Sequence, residues 1–136
     1  MKLLPLLLPL LLSALDAADG YAVYQKSCAA CHIENISKAE TLKRFNTLKA
    51  PPMPEVSSQL KHTVIIADDD EDVHREVVIA FIKHYIENPD IQYSMCNPMA
   101  LERFGQMPSL KGKLNADEKQ AVAEWIYDNY EGGTFE

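Results

Sequence analysis

Apolar residues along this chain recur at the three- and four-residue spacing of helices and do not alternate in the two-residue rhythm of a half-buried strand. Tyr21, Tyr24, Cys28 and Cys31 fall at i, i+3, i+7 and i+10, which predicts a helix over 19–31 carrying two aromatics and two cysteines on one face. Val73, Val77, Phe81 and Tyr85 recur every fourth residue and predict a central helix over about 70–87, stopped by Asn88 and Pro89. Asn97 and Pro98 read as an N-cap followed by proline at the first helical position, and Gly105 as the glycine just past the end of a short helix over 98–104. Asn115 and Glu118 have the form of a capping box. Ala121, Val122, Trp125, Ile126 and Tyr130 then make the apolar stripe of a last helix over 117–130, closed by Gly132 and Gly133. Ser37 and Glu40 suggest a cap, but 37–48 reads equally well as loop. The pattern predicts an all-α fold.

The first seventeen residues stand apart from this pattern. A basic start at Lys2 precedes a nearly pure leucine run from Leu3 to Leu12, and small residues follow as far as Ala17. That is the layout of a secretory signal peptide, expected to be removed after Ala17 to leave one domain over 18–136. An uncleaved membrane anchor is the rival reading. It is disfavoured because about 12 apolar residues fall short of the ~20 that span a bilayer, and Pro5 and Pro9 interrupt them.

Composition changes the picture only in what it excludes. The 136 residues are 47% hydrophobic and 24% charged, which argues against disorder. The net charge is −7, and losing 1–17 removes one lysine and one aspartate, so that balance stands. An acidic chain lacks the clustered basic footprint of a nucleic-acid binder. Three cysteines are too few for a disulfide-stapled scaffold.

Two of the cysteines sit in Cys28-Ala29-Ala30-Cys31-His32, the C-x-x-C-H signature of covalent c-type haem attachment. Thiols at i and i+3 share a helix face and can meet the two vinyl groups along one haem edge, while His32 can turn its imidazole to the iron as proximal ligand. A redox dithiol is a competing reading, but it normally follows a strand, and none is read before residue 28. Half of a zinc site is another, but His62, His74 and His84 lack paired spacing with Cys96, the one remaining cysteine. One motif implies one haem c.

The sixth iron position decides function, because His/Met ligation makes a closed electron carrier and an open position admits ligands. Among Met53, Met95, Met99 and Met107, the last is best placed, in the loop after the 98–104 helix and held extended by Pro108. Met53 also precedes a proline, but its helical spacing with Val56 and Leu60 reads as packing. A bis-histidine site using His62, His74 or His84 is the remaining possibility.

On these residues the chain resembles the class I, monohaem cytochromes c. The resemblance rests on an N-terminal helix running into C-x-x-C-H, a Met107-Pro108 loop, and an aromatic-bearing C-terminal helix. It implies the cytochrome c fold of about four to five helices around one covalent haem, with the first and last helices crossing at one haem edge. It also implies His32 and Met107 as the iron ligands and a proline carbonyl, of Pro51 or Pro52, fixing the proximal imidazole. The long acidic central helix and Cys96 depart from the family pattern.

The acidic run 68–72 reads first as capping of the central helix, since carboxylates are favoured at helix N-termini. A second reading lets it steer a basic redox partner. Cys96 reads as a small buried group near the haem, or alternatively as the site of an intermolecular disulfide. The expected function is single-electron transfer between redox proteins, not enzymatic catalysis, by a monomeric protein of the periplasm. The alternative is a haem protein whose open or labile distal site binds or reduces a gas or peroxide; a third reading is a subunit of a larger oxidase or dehydrogenase.

Overall fold

A computed structural model describes residues 16–68, 70–130 and 135–136. The leucine-rich stretch, Asp69 and the Gly132-Gly133 helix stop lie outside the described residues, apart from Asp16 and Ala17. Six helices follow in order: α1 (Gly20–Ser27), α2 (Lys38–Arg44), α3 (Met53–Thr63), α4 (Glu71–Glu87), α5 (Pro98–Phe104) and α6 (Ala116–Asp128), with a 3-10 turn at Ile91–Tyr93 before α5. No strand occurs among the described residues, and none of their helices is long and apolar enough to cross a membrane. The helix count exceeds the expected four to five. The ambiguous stretch after residue 37 does fold, because Ser37 Oγ accepts the Glu40 amide at 3.2 Å and caps α2.

α6 is the hub, packing against α1, α3 and α4. It begins on the expected capping box, in which Asn115 Oδ1 accepts the Glu118 amide at 2.9 Å and Glu118 Oε2 accepts the Asn115 amide at 3.0 Å. Its inward face is Val122, Ala123 and Ile126, and the helix stops at Asp128, two residues short of Tyr130. These side chains join Val23 and Tyr24 of α1, Met53 and Leu60 of α3, and Val78, Ile79, Ile82 and Ile86 of α4 in one core. Trp125 stacks on Tyr24 with ring centroids 4.6 Å apart, an arrangement that adds to area burial.

One predicted element is corrected and a second is refined. α1 ends at Ser27 instead of continuing through Cys31, because the amides of Cys28 and Ala29 both converge on the Tyr24 carbonyl, at 2.8 and 2.9 Å. The chain then turns tightly, with the Cys31 and His32 amides both bonded to the Cys28 carbonyl, so the two thiols stand on a turn and not on a helix face. α4 has the expected span, capped by Asp70, whose side chain accepts the Asp72 and Val73 amides. Its buried face, however, is Val78, Ile79, Ile82 and Ile86, while Val73 and Val77 remain 46% and 42% exposed. A strict four-residue repeat drifts about 40° per step on a helix of 3.6 residues per turn, so the series leaves the core face.

The α1–α6 crossing depends on Gly20. A β-carbon there would lie 2.6 Å from Trp125 Cβ and would collide with the Ala121 carbonyl, which belongs to helix backbone and cannot step aside. Gly20→Ala is therefore expected to lower stability by about 1–3 kcal/mol, the usual cost of overpacking. A urea midpoint equal to that of the wild type would show that the helices do not approach this closely.

Candidate functional site

The turn after α1, the N-terminal part of α3, the C-terminal half of α4, α5 and the loop before α6 enclose a cavity of about 320 Å³. Its walls are mostly apolar. Phe81, Ile82, Tyr85 and Ile86 form the α4 side, and Met53, Val56 and Leu60 the α3 side. Cys28, Cys31 and His32 all border it.

His32 is oriented from two directions. Its Nδ1 lies 2.7 Å from the Pro51 carbonyl; a carbonyl only accepts, so Nδ1 carries the proton and Nε2 keeps its lone pair. This resolves the choice between the two prolines, since the Pro52 carbonyl instead accepts the Val56 amide in the first turn of α3. Burial pushes the imidazole below its ordinary pKa, partly opposed by the Pro51 bond. A neutral ring with a free Nε2 and a carbonyl on the other nitrogen is the form in which histidine binds a metal. From the other side, the Tyr24 hydroxyl donates to the His32 carbonyl at 2.7 Å. Burial, with Glu34 adding, pushes that phenol up to about 12, so it remains a donor.

Burial pushes the Cys28 thiol up to about 11, with Cys31 adding. A reactive redox dithiol needs the opposite, a depressed thiolate pKa. The two cysteines are unbonded to each other, and among the described residues no three His, Cys, Asp or Glu side chains converge on a metal-sized site.

Met107 borders the same cavity, half-buried against the core. Its loop leaves α5 through Gly105 at φ 69°, a left-handed turn that suits glycine. It is then pinned to the end of α4, where the Leu110 amide bonds the Ile86 carbonyl at 2.7 Å and Ser109 Oγ the Glu87 carbonyl at 2.6 Å. Asn97 caps α5 as expected. Met53 is 2% exposed and belongs to the core, and Met99 is 65% exposed. Met95 borders the cavity from the loop after the 3-10 turn, a position no helical pattern marked.

The remaining residues divide between the cavity wall and the rest of the fold. None of His62, His74 and His84 borders the cavity. His74 has both nitrogens occupied, by the Tyr127 hydroxyl at 2.8 Å and the Val64 carbonyl at 3.0 Å. Arg103 donates to the Asn46 and Leu48 carbonyls and ties α5 to the α2–α3 connection. Cys96 is half-buried in the cavity wall. Asp70 serves as the α4 cap, and none of Asp68, Asp70, Glu71 and Asp72 borders the cavity.

An apolar cavity with a fixed neutral imidazole, two thiols and a thioether on its walls fits haem, and an all-helical domain of this kind is a c-type cytochrome. The chain belongs to the family of cytochrome c oxidase, cbb3-type, subunit III, whose model it matches over residues 15–126. Members of this family carry a haem-binding, electron-carrying domain. The chain is also 40% identical over 120 residues to an uncharacterized protein of Aquifex aeolicus (strain VF5), the match covering 82% of this chain and 73% of that one. No solved structure matches it.

Tyr24→Phe is expected to cost about 1 kcal/mol at neutral pH by leaving the His32 carbonyl without its donor. The phenol's pKa is raised on folding, so its contribution is intact below pH 10 and is lost as pH rises toward about 12. The gap between wild type and variant should therefore narrow above pH 10 in urea titrations; a gap constant with pH would remove the phenol from this role.

Proposed function

We propose that this chain is an exported monohaem cytochrome c that shuttles single electrons between redox proteins. In this reading 1–17 is a cleaved leader directing the 18–136 domain to the periplasm. Cys28 and Cys31 anchor one haem c through thioether bonds, and His32 and Met107 ligate its iron. The observation that carries the reading is the His32–Pro51 hydrogen bond, which leaves Nε2 free at a cavity that Met107 also borders. Held by His32 and Met107, the iron would change oxidation state with little rearrangement, and the methionine would raise its potential. The family's own description supports a terminal oxidase as the acceptor, with this chain acting as its haem-bearing subunit or feeding it.

Optical spectra of the purified holoprotein, oxidised, reduced and reduced under carbon monoxide, test this. Low-spin spectra with the far-red methionine–iron band and no response to carbon monoxide are expected. Met107→Ala should lose that band, bind carbon monoxide and shift to lower potential. Ready carbon monoxide binding by the wild type would instead favour the gas- or peroxide-binding alternative.

The acidic end of α4 is proposed to steer a partner with a basic docking patch. Replacing Asp69, Asp70 and Asp72 with asparagine keeps a competent N-cap at position 70 and should slow association about tenfold at low salt. An unchanged rate with the physiological partner would remove the steering role.

A further inference from the structure

α3 opens in an unusual way. Its N-cap is Pro52, which makes no side-chain capping bond and has no backbone N–H. Glu55 stands three residues on, where a glutamate ordinarily reaches back to the N-cap amide. Glu118 does so in α6, bonding the Asn115 amide at 3.0 Å, and its carboxyl is held below the ordinary range. Glu55 has no such amide to reach. Its half-buried side chain instead borders the cavity, and among the described residues no hydrogen bond or ion pair closes on it.

We propose that Glu55 couples proton uptake to electron uptake, making this cytochrome a carrier of one electron together with a proton. The inference rests on the haem reading above. Glu55 is the one carboxylate bordering the cavity among the described residues, and Lys49 the one ammonium. Of the other groups there, His32 is held neutral by burial, Cys28 and Cys31 are engaged by the haem, and Tyr85 faces in from α4. Lys38 of α2 acts on Glu55 and favours its charged form, while burial acts more strongly the other way.

The balance follows from Coulomb's law. When a donor's electron enters the site, the net positive charge there falls by one, and a carboxylate in the low-dielectric wall holds a proton more tightly. Glu55 then takes one proton from water onto its carboxylate. When the electron leaves to the acceptor, that proton returns to water. By reciprocity, protonation of Glu55 favours the reduced state.

The test is the reduction potential of the holoprotein from about pH 4 to about pH 9, read by optical redox titration, with reduced-minus-oxidised infrared spectra alongside. The wild type should show a window, above the ordinary glutamate range, in which the reduction equilibrium weakens by up to tenfold per pH unit, about 59 mV for one electron. Glu55→Gln should flatten that window with visible spectra unchanged, and should lose the protonated-carboxyl band that appears on reduction. Glu55→Asp should restore a slope, and Lys38→Gln should move the window to higher pH. A wild-type window retained in Glu55→Gln would overturn the role of Glu55 alone. Preparations without covalent haem would instead overturn the reading on which it rests.

Discussion

The bond from His32 Nδ1 to the Pro51 carbonyl is the constraint on which the site depends. It fixes the tautomer of the imidazole, keeps Nε2 as the free donor atom, and connects the turn after α1 to the segment that opens α3. The connection is doubled by the Met53 amide bonding the Ile33 carbonyl at 2.8 Å. This second bond joins two backbone groups, so the placement of the two segments does not rest on the imidazole alone. That placement in turn needs α1 held against α6, which Gly20 permits and the Tyr24–Trp125 stack maintains. Tyr24 belongs to both arrangements: its ring packs in the helix crossing and its hydroxyl secures the peptide of His32.

Polarity divides the molecule along α4. The N-terminal end carries the carboxylates that cap the helix, together with Arg75, which pairs with Asp128 at the close of α6 through two hydrogen bonds of 2.8 and 2.6 Å. The C-terminal half turns Phe81, Ile82, Tyr85 and Ile86 to one wall of the cavity, while Lys83 and Glu87 bond Gln120 and Lys119 of α6. One helix thus carries its capping carboxylates at one end and an apolar cavity wall at the other. A low dielectric around that cavity strengthens whatever charged group does border it.

Much of this was legible in the sequence because local signals carried it. Asn97, Gly105 and the Asn115–Glu118 box act within four residues of themselves, and each ends or starts a helix where expected. The C-x-x-C-H run and the Met107-Pro108 loop are likewise local, and both were brought to one cavity by the fold. What escaped is not carried by residue spacing alone. The early end of α1 arises from two amides sharing the Tyr24 carbonyl, which helical periodicity does not encode. The buried face of α4, Val78, Ile79, Ile82 and Ile86, lies off the series that marked the helix, because a four-residue spacing follows a drifting line. Gly20 carried no signal until α6 stood against it. The choice between Pro51 and Pro52 needed three dimensions, and Glu55 was visible only as a glutamate three residues after a proline that has no amide to donate to it.

The loop bearing Met107 hangs from the last carbonyls of α4, those of Ile86 and Glu87, which an isolated helix would leave unsatisfied. Helix termini are where local unfolding begins, and a segment fastened there shares their low opening free energy. The imidazole side is fastened to two helix ends at once, the Tyr24 carbonyl at the close of α1 and the segment that opens α3. The two walls of the cavity therefore differ in how many helix ends must open to free them: one end of α4 for the thioether arm, two separate helices for the histidine arm.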